Sequence, residues 1–349
     1  IMSRSSSEKF VEHFVVSNEL LQDELDGHRE CFEHLVNGTL ANEVAENYLR
    51  ALANFPLDDT ILSMAVDVVR YHMIPFHVDE SLITADVCGT GGDGQNTFNI
   101  STTTFFVLAG VGFHVVKHGN RGVTSSSGSS DVLQELGIPV VASVETLHKI
   151  FDEVGSVFLF APSFHPILKH VAPIRASLGI RTIFNVMGPL LNPANPTHQL
   201  IGAYDEQAAQ TMAKTLHRRG VEATVFHHLD GYDEWVPFGR GSSYRTAPQQ
   251  DQVIKSELSY QEFQVPQASV KDLHGGSIKE NVHILRQILQ NEAEAPKIDT
   301  VCMNAAMAIH TIHPNTSLQE AMEQARDSIA SGAALTVLES MIEVSHVDS

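Results

Sequence analysis

Asp86-Val87-Cys88-Gly89-Thr90-Gly91-Gly92-Asp93, followed after three residues by Thr97-Phe98-Asn99-Ile100-Ser101-Thr102, reads as a strand, a glycine loop and the start of an apolar helix. Glycines let backbone N–H groups approach an anion, and the helix N-terminus adds partial positive charge, so the segment predicts a phosphate cradle. Asn99, Ser101 and Thr102 supply hydrogen bonds to such an anion or cap the helix, and both roles stand at this stage. Gly89, Gly91 and Gly94 also satisfy the G-x-G-x-x-G dinucleotide pattern, but no acid for a ribose follows before Asp131. A P-loop is excluded because no Gly-Lys-Ser/Thr succeeds the glycines.

Outward from this segment, short β-branched runs at Phe113–Val116, Val157–Phe160, Leu200–Ala203 and Val221–Phe226 alternate with helical stretches. That alternation predicts an α/β fold with a mainly parallel central sheet covered by helices. Asn281–Leu289, Val301–Thr311 and Leu318–Ile329 read as helices, and the polar Gly239–Gln252 reads as an exposed connection. Toward the N-terminus, Ile61, Leu62, Ala65, Val66 and Val69 repeat at helical spacing behind the cap candidates Asp58, Asp59 and Thr60. The expected organisation is a small all-helical lobe over 1–80, joined by a Pro-containing helix from His165 to Leu178 within 165–180, and an α/β domain over 81–349.

The chain has 349 residues, 22 Lys and Arg against 42 Asp and Glu, and a net charge of −20. Bulk charge therefore opposes nucleic acid and anionic lipid as partners. Three scattered cysteines argue against a disulfide framework and for a cytoplasmic setting. Phe105–Val116 is broken by His114 and falls short of the ~20 apolar residues of a membrane span, and nothing marks the chain for export. Within this acidic chain, 94–130 and 154–204 contain no Asp or Glu but carry Lys117, Arg121, Lys169, Arg175 and Arg181. These windows predict a local positive cleft for a polyanion, although buried sheet segments also exclude acids.

Three further motifs carry chemistry. Lys117-His118-Gly119-Asn120-Arg121-Gly122-Val123-Thr124-Ser125-Ser126-Ser127-Gly128-Ser129 follows a β-branched run, at a strand's carboxyl end, and combines cationic donors with an N–H-rich loop suited to phosphate. Phe160–Pro166, Lys169–Arg175 and Arg181–Leu190 bring the planar fork of Arg175, suited to a carboxylate or phosphate, with His165 either a ligand contact or a structural histidine. Asp230-Gly231-Tyr232-Asp233-Glu234 places neighbouring carboxylates at a strand end, where Mg²⁺ is bound jointly with phosphates, or else forms a plain acidic turn.

Together these segments resemble the anthranilate phosphoribosyltransferases, from about Thr84 to Leu338. Gly89-Thr90-Gly91-Gly92-Asp93, Asn99-Ile100-Ser101-Thr102, Lys117-His118-Gly119-Asn120-Arg121, His165-Pro166 and Arg181-Thr182-Ile183-Phe184-Asn185 carry the likeness, with Gly275-Gly276 and Asn304-Ala305-Ala306 beyond them. The resemblance implies a fold of nucleoside phosphorylase and phosphoribosyltransferase type, a homodimer, and the joining of anthranilate to 5-phosphoribosyl 1-diphosphate with loss of pyrophosphate. By motif, it implies that Gly89, Thr90, Gly91, Gly92, Asp93, Thr97, Asn99, Ser101, Thr102, Lys117 and Ser129 hold the phosphoribosyl diphosphate. Gly89, Asn120, His165 and Arg175 would face anthranilate, and Ser101, Asp233 and Glu234 would bind Mg²⁺.

Departures fall at Gly122 and Ser130, where Ala is usual, and at His228-Leu229 and Tyr232. The lobe has Leu49-Arg50-Ala51-Leu52 where the family has Met-Ala-Leu-x-x-Lys-Gly. The competing readings are a pyrimidine nucleoside phosphorylase, whose Lys-His-Ser-Thr-Gly-Gly run is replaced by Lys117-His118-Gly119-Asn120, and a non-enzymatic nucleic-acid-binding relative. An NAD-dependent oxidoreductase rests on the glycine pattern alone.

Overall fold

Apolar or β-branched residues buried on both faces make strands that neighbours must cover entirely, and β1 (Thr84–Gly89) has that character. Parallel strands β2 (His114–Gly119) and β4 (His198–Gly202) pair with it on either side. β3 (Val157–Phe160) lies beyond β2, and β5 (Glu222–His228) beyond β4. β6 (Arg240–Thr246) and β7 (Ile254–Ser259) close that side as antiparallel strands, in the order β3-β2-β1-β4-β5-β6-β7. A computed structural model describes residues 5–17, 24–122 and 127–346. The chain leaves β1 for β2 on one side and returns to β4 on the other, so the carboxyl ends of β1 and β4 meet at a topological switch point.

The sheet corrects one expectation. Residues 240–246, inside the polar stretch read as an exposed connection, form β6, with Ser242, Ser243, Tyr244 and Thr246 buried. Backbone pairing with β5, from Ala223↔Thr246 to His228↔Gly241, satisfies the strand whatever its side chains, and the Tyr244 hydroxyl donates to Glu206 at 2.8 Å. Polar composition thus signalled surface where the ladder allowed burial.

Four helices, Ser6–Ser17, Leu25–Val36, Asn42–Ala53 and Asp59–Tyr71, build the lobe. Asp58 caps the last, its Oδ1 accepting from Thr60 N at 2.8 Å and Ile61 N at 2.9 Å. The single helix expected over His165–Leu178 is instead a 3₁₀ turn, Pro166–His170, and a helix, Ala172–Leu178, because prolines 166 and 173 lack the N–H that a continuous helix needs. Val171, Ile174 and Leu178 share a core with Val11, Phe14, Phe32, Tyr48 and Leu62 of the lobe. The same apolar cluster runs on into Ala208, Met212 and Leu216 of the helix Glu206–Arg218 and into Ile201 and Val225 of the sheet. On the opposite face, the helices Ile100–Val111 and Ala295–Ile312 contribute Phe105, Phe106, Val301 and Met307 to a second core.

Candidate active site

β1 and β4 both end in glycine, and Gly89 and Gly202 are register partners. Side chains there are impossible without rearrangement: a Cβ on Gly202 would lie 1.6 Å from the Asp233 carbonyl oxygen, and one on Gly89 2.5 Å from Asp233 Oδ2. The two glycines form a slot into which the loop after β5 lowers Asp233, with Glu234 next along the chain. Beyond β1, Gly91, Gly92 and Gly94 adopt φ of +68°, +72° and +73°, the left-handed conformations that turn backbone N–H groups into a concave nest.

Two N–H groups expected to face an anion face these carboxylates. Gly91 N donates to Asp233 Oδ2 at 2.7 Å, and Ser101 N, in the first turn of the helix Ile100–Val111, donates to Glu234 Oε1 at 3.2 Å. Asp93 joins them by accepting from Asp233 N at 3.4 Å and Gln95 N at 3.0 Å. Lys117, 2% exposed, donates from Nζ to Ser101 Oγ at 3.2 Å and to the Val87 carbonyl at 2.5 Å. Asp86 beneath it is held by Asn192 Nδ2 at 2.8 Å and His118 N at 3.4 Å.

Lys117 thus pulls electrostatically on Asp86 and Glu234 while Asp93 and Asp233 stand beside them, which corrects the expectation of a simply positive cleft. Burial, reinforced by Asp93 and Glu234, pushes Asp233 well above the ordinary carboxylate range. Glu234 keeps some exposed surface, yet its carboxyl is enclosed, and burial pushes it up to about 8 against the opposing pull of Lys117. Burial also raises Asp86, opposed first by Lys117.

These shifts make stability pH-dependent with a definite sign. Between the ordinary carboxylate value and about 8, the folded chain holds a proton on Glu234 that the unfolded chain has released, and the raised Asp233 acts in the same direction, so stability falls as pH rises. Buried His28, His118 and His165, all lowered by desolvation, act oppositely, but only up to the unfolded histidine value of about 6.5. Between about pH 6.5 and 8 the ligand-free protein is therefore expected to lose melting temperature. Calorimetry across that window checks it, and a rising Tm would contradict the assignment.

The remaining expected residues lie outside this cluster's hydrogen bonds. Asn99 makes no side-chain cap; its amide exchanges bonds with Ser127, whose Oγ also accepts from Asn281 Nδ2 at 2.6 Å. Thr90 Oγ1 accepts from Tyr204 N at 3.1 Å, Thr97 bridges to His274, and Thr102 is buried in the helix's first turn. Asn120 is exposed after β2, and its carbonyl accepts from Ser129 Oγ at 3.3 Å; residues 123–126 of that loop lie outside the described residues. His165 is buried, bonded through Nε2 to the Leu191 carbonyl at 2.7 Å and packed edge-on against His118 at 5.3 Å. Burial lowers it to about 4, so it is neutral at pH 7. The Arg175 guanidinium lies 5.5 Å from the Phe184 ring centre and forms no ion pair among the described residues.

Asp93, Ser101, Lys117, Asp233 and Glu234 are thus gathered into one cluster, whereas among the described residues no hydrogen bond or ion pair joins Arg175 to it. Arg181 reaches the glycine loop instead, bonding the Gly92 carbonyl at 2.5 Å while stacked 4.1 Å over Tyr204. Gly202, Asn192 and Asn281 were absent from the expected site residues, as was Asn304, which entered only through the Asn304-Ala305-Ala306 likeness with no role attached. Among the described residues no three His, Cys, Asp or Glu side chains converge as a complete metal site. Two clustered carboxylates whose burial disfavours ionisation nonetheless fit a hard divalent cation completed by phosphate and water oxygens.

Comparison with known proteins agrees with this architecture. A family model described as glycosyl transferase family, a/b domain, matches residues 82–335. Anthranilate phosphoribosyltransferase of Salinibacter ruber is 43% identical over 265 residues, 75% of this chain and 77% of that protein. That of Lacticaseibacillus casei is 36% identical across 99% of this chain and 98% of its own length. Among solved structures, anthranilate phosphoribosyltransferase from Thermus thermophilus superposes with a TM-score of 0.88 at 31% identity, covering 97% of this chain and 99% of that one. The Saccharomyces cerevisiae enzyme in complex with PRPP and Mg gives 0.87 at 27% identity, covering 99% of each.

Proposed function

The chain belongs to the anthranilate phosphoribosyltransferase family and transfers the 5-phosphoribosyl group of 5-phosphoribosyl 1-diphosphate to the amine of anthranilate in tryptophan biosynthesis, and we propose that it does so at the cluster of Asp93, Ser101, Lys117, Asp233 and Glu234. The observation that carries this reading is the meeting of the glycine nest, the helix N-terminus and Lys117 around the Asp233–Glu234 turn. Gly89, Thr90, Gly91, Gly92, Asp93, Thr97, Asn99, Ser101, Thr102, Lys117 and Ser129 bind the phosphoribosyl diphosphate. Asp233 and Glu234, with Ser101, hold Mg²⁺ alongside it. Bound there, the ion supplies positive charge against the diphosphate and neutralises the two carboxylates.

Departure of pyrophosphate from the anomeric carbon leaves oxocarbenium character on the ribose. The protein's work is to orient the donor, with Lys117 and the loop N–H groups stabilising the negative charge that develops on the leaving group. An aryl amine attacks without prior deprotonation, so no strong base is required, and His118 and His165, whose basicity burial lowers, are consistent with that. Gly89, Asn120, His165 and Arg175 face anthranilate, with the Arg175 fork binding its carboxylate. Arg175→Ala removes charge-assisted hydrogen bonds worth about 1.5–3 kcal/mol, so the anthranilate KM is expected to rise roughly 10- to 100-fold with the diphosphate KM little changed. An unaltered anthranilate KM would defeat that assignment.

The site itself is tested by Asp233→Ala combined with Glu234→Ala, assayed with anthranilate, phosphoribosyl diphosphate and titrated Mg²⁺. The expected result is a Mg²⁺ requirement raised at least about tenfold, since two of the proposed protein donors are gone. A normal Mg²⁺ titration curve would remove the cluster from the reaction. We further propose a homodimer in the cytoplasm. Val16, 80% exposed on the helix Ser6–Ser17, and Tyr71, 83% exposed, offer apolar surface to a second copy, and the free thiols Cys31, Cys88 and Cys302 suit a reducing compartment.

A further inference from the structure

Trp235, the chain's single tryptophan, directly follows Glu234 and is fully buried, stacked on Phe226 of β5 at 5.1 Å. It lies in the turn between β5 and β6, outside any strand, so its N–H and C=O need partners from elsewhere. One side chain provides both. Asn304 Oδ1 accepts from Trp235 N at 3.0 Å, and Asn304 Nδ2 donates to the Trp235 carbonyl at 2.8 Å. Asn304 is 1% exposed in the middle of the helix Ala295–Ile312, between Met303 and Ala305, where an amide is costly unless fully bonded. Its second Nδ2 bond, to Thr300 O at 2.8 Å, stays within the helix, so only Trp235 satisfies its oxygen among the described residues. The amide thereby imitates a neighbouring strand for one residue of the turn.

We propose that Asn304 is a positioning residue for the reaction: by clamping both backbone groups of Trp235 it fixes the preceding Asp233–Glu234 pair at the height at which the pair receives the metal–diphosphate. The inference rests on the reading that these carboxylates bind Mg²⁺ with the diphosphate. Its physical basis is a rigid lever. Asp233 is held in the slot above Gly89 and Gly202 on one side, Trp235 is clamped on the other, and Glu234 between them has no freedom to drift. Asn304 touches no reacting atom and acts only through Trp235.

The test compares Asn304→Leu, which matches the shape and removes both bonds, with Asn304→Asp, which restores both while its carboxyl is protonated and loses the donor on ionisation. In folded Asn304→Leu, the Mg²⁺ half-saturation and the KM for phosphoribosyl diphosphate are expected to rise about tenfold, with the anthranilate KM unchanged. In Asn304→Asp the Mg²⁺ half-saturation, taken relative to the unmodified protein, is expected to climb as pH rises through the ionisation of the new carboxyl. A purely structural asparagine would lower stability without separating the two substrates, and that outcome overturns the proposal. If Asn304→Leu does not fold, the pH-dependent behaviour of Asn304→Asp decides, and a flat relative profile is equally fatal.

Trp235 emission gives an activity-independent readout. Mg²⁺ with inorganic pyrophosphate, in the absence of anthranilate, is expected to shift it in the unmodified protein and not in folded Asn304→Leu; an identical shift in both overturns the clamp. Should Asp233→Ala with Glu234→Ala keep normal Mg²⁺ dependence, the metal reading fails instead, which separates that failure from a failure of the clamp.

Discussion

Lys117→Met is expected to reduce kcat/KM by roughly 10²- to 10³-fold, the scale on which removing one preorganised donor acts at a charge-stabilising site. Methionine keeps much of the buried stem's packing, so the change isolates the ammonium. Its neighbours are Asp86 and Glu234, both pushed upward by burial and both pulled back by this one charge. Without it burial drives both further upward, so they keep their protons to still higher pH rather than stand as uncompensated buried charges, which spares the fold and spoils the site. A protonated Glu234 is a poor metal donor, so the loss should be most severe at low pH and partly recovered as pH rises. Rate measurements from about pH 6 to 9 with titrated Mg²⁺ check this, and near-normal kcat/KM at neutral pH would show that the ammonium is not part of the charge-stabilising machinery.

The second large effect is expected from Gly202→Ala, a one-methyl change. The new Cβ would sit 1.6 Å from the Asp233 carbonyl oxygen, and β4 cannot retreat because β1 and β5 pair with it on both sides. The turn must therefore lift by more than an ångström. Overpacking of this kind costs about 1–3 kcal/mol or more, and a displacement of about 1 Å at a reacting site can cost about 10²-fold in rate. Gly89→Ala is the comparison, because its Cβ would meet Asp233 Oδ2 at 2.5 Å but the Asp233 carbonyl oxygen only at 3.3 Å, so it presses on the carboxylate more than on the backbone. The expected order is a larger Tm loss for Gly202→Ala than for Gly89→Ala, and equal Tm losses would argue that the Asp233 backbone is not what the slot fixes.

Legibility in the sequence followed contact distance along the chain. The β1 loop and the Lys117 segment were readable because donors, glycines and helix start lie within a few residues of one another. Asp233-Glu234 was readable as a pair, although nothing in its own turn distinguished it from other acidic turns. Gly202, Asn192, Asn281 and Asn304 act across 31, 106, 154 and 69 residues, on Asp233, Asp86, Ser127 and Trp235, and no local pattern announces such partners. The acid-free windows misled for the same reason. Asp93 stands one residue before the first window, and Asp233 and Glu234 arrive from a distant loop, so the charge density around Lys117 is decided by the fold. Residues 240–246 failed differently, since composition describes side chains and the ladder is made of backbone.

The apolar cluster that joins Val11, Phe14 and Tyr48 to Met212, Leu216 and Val225 also determines how the molecule comes apart. A segment with a private interior could denature separately on heating, leaving the remainder native. Here the N-terminal helices and one flank of the sheet share their interior, so neither can be dissolved without exposing the other to water. Calorimetric melting of this chain should accordingly be a single cooperative event, and an excised 81–349 fragment should expose the oily flank that the missing helices once sealed.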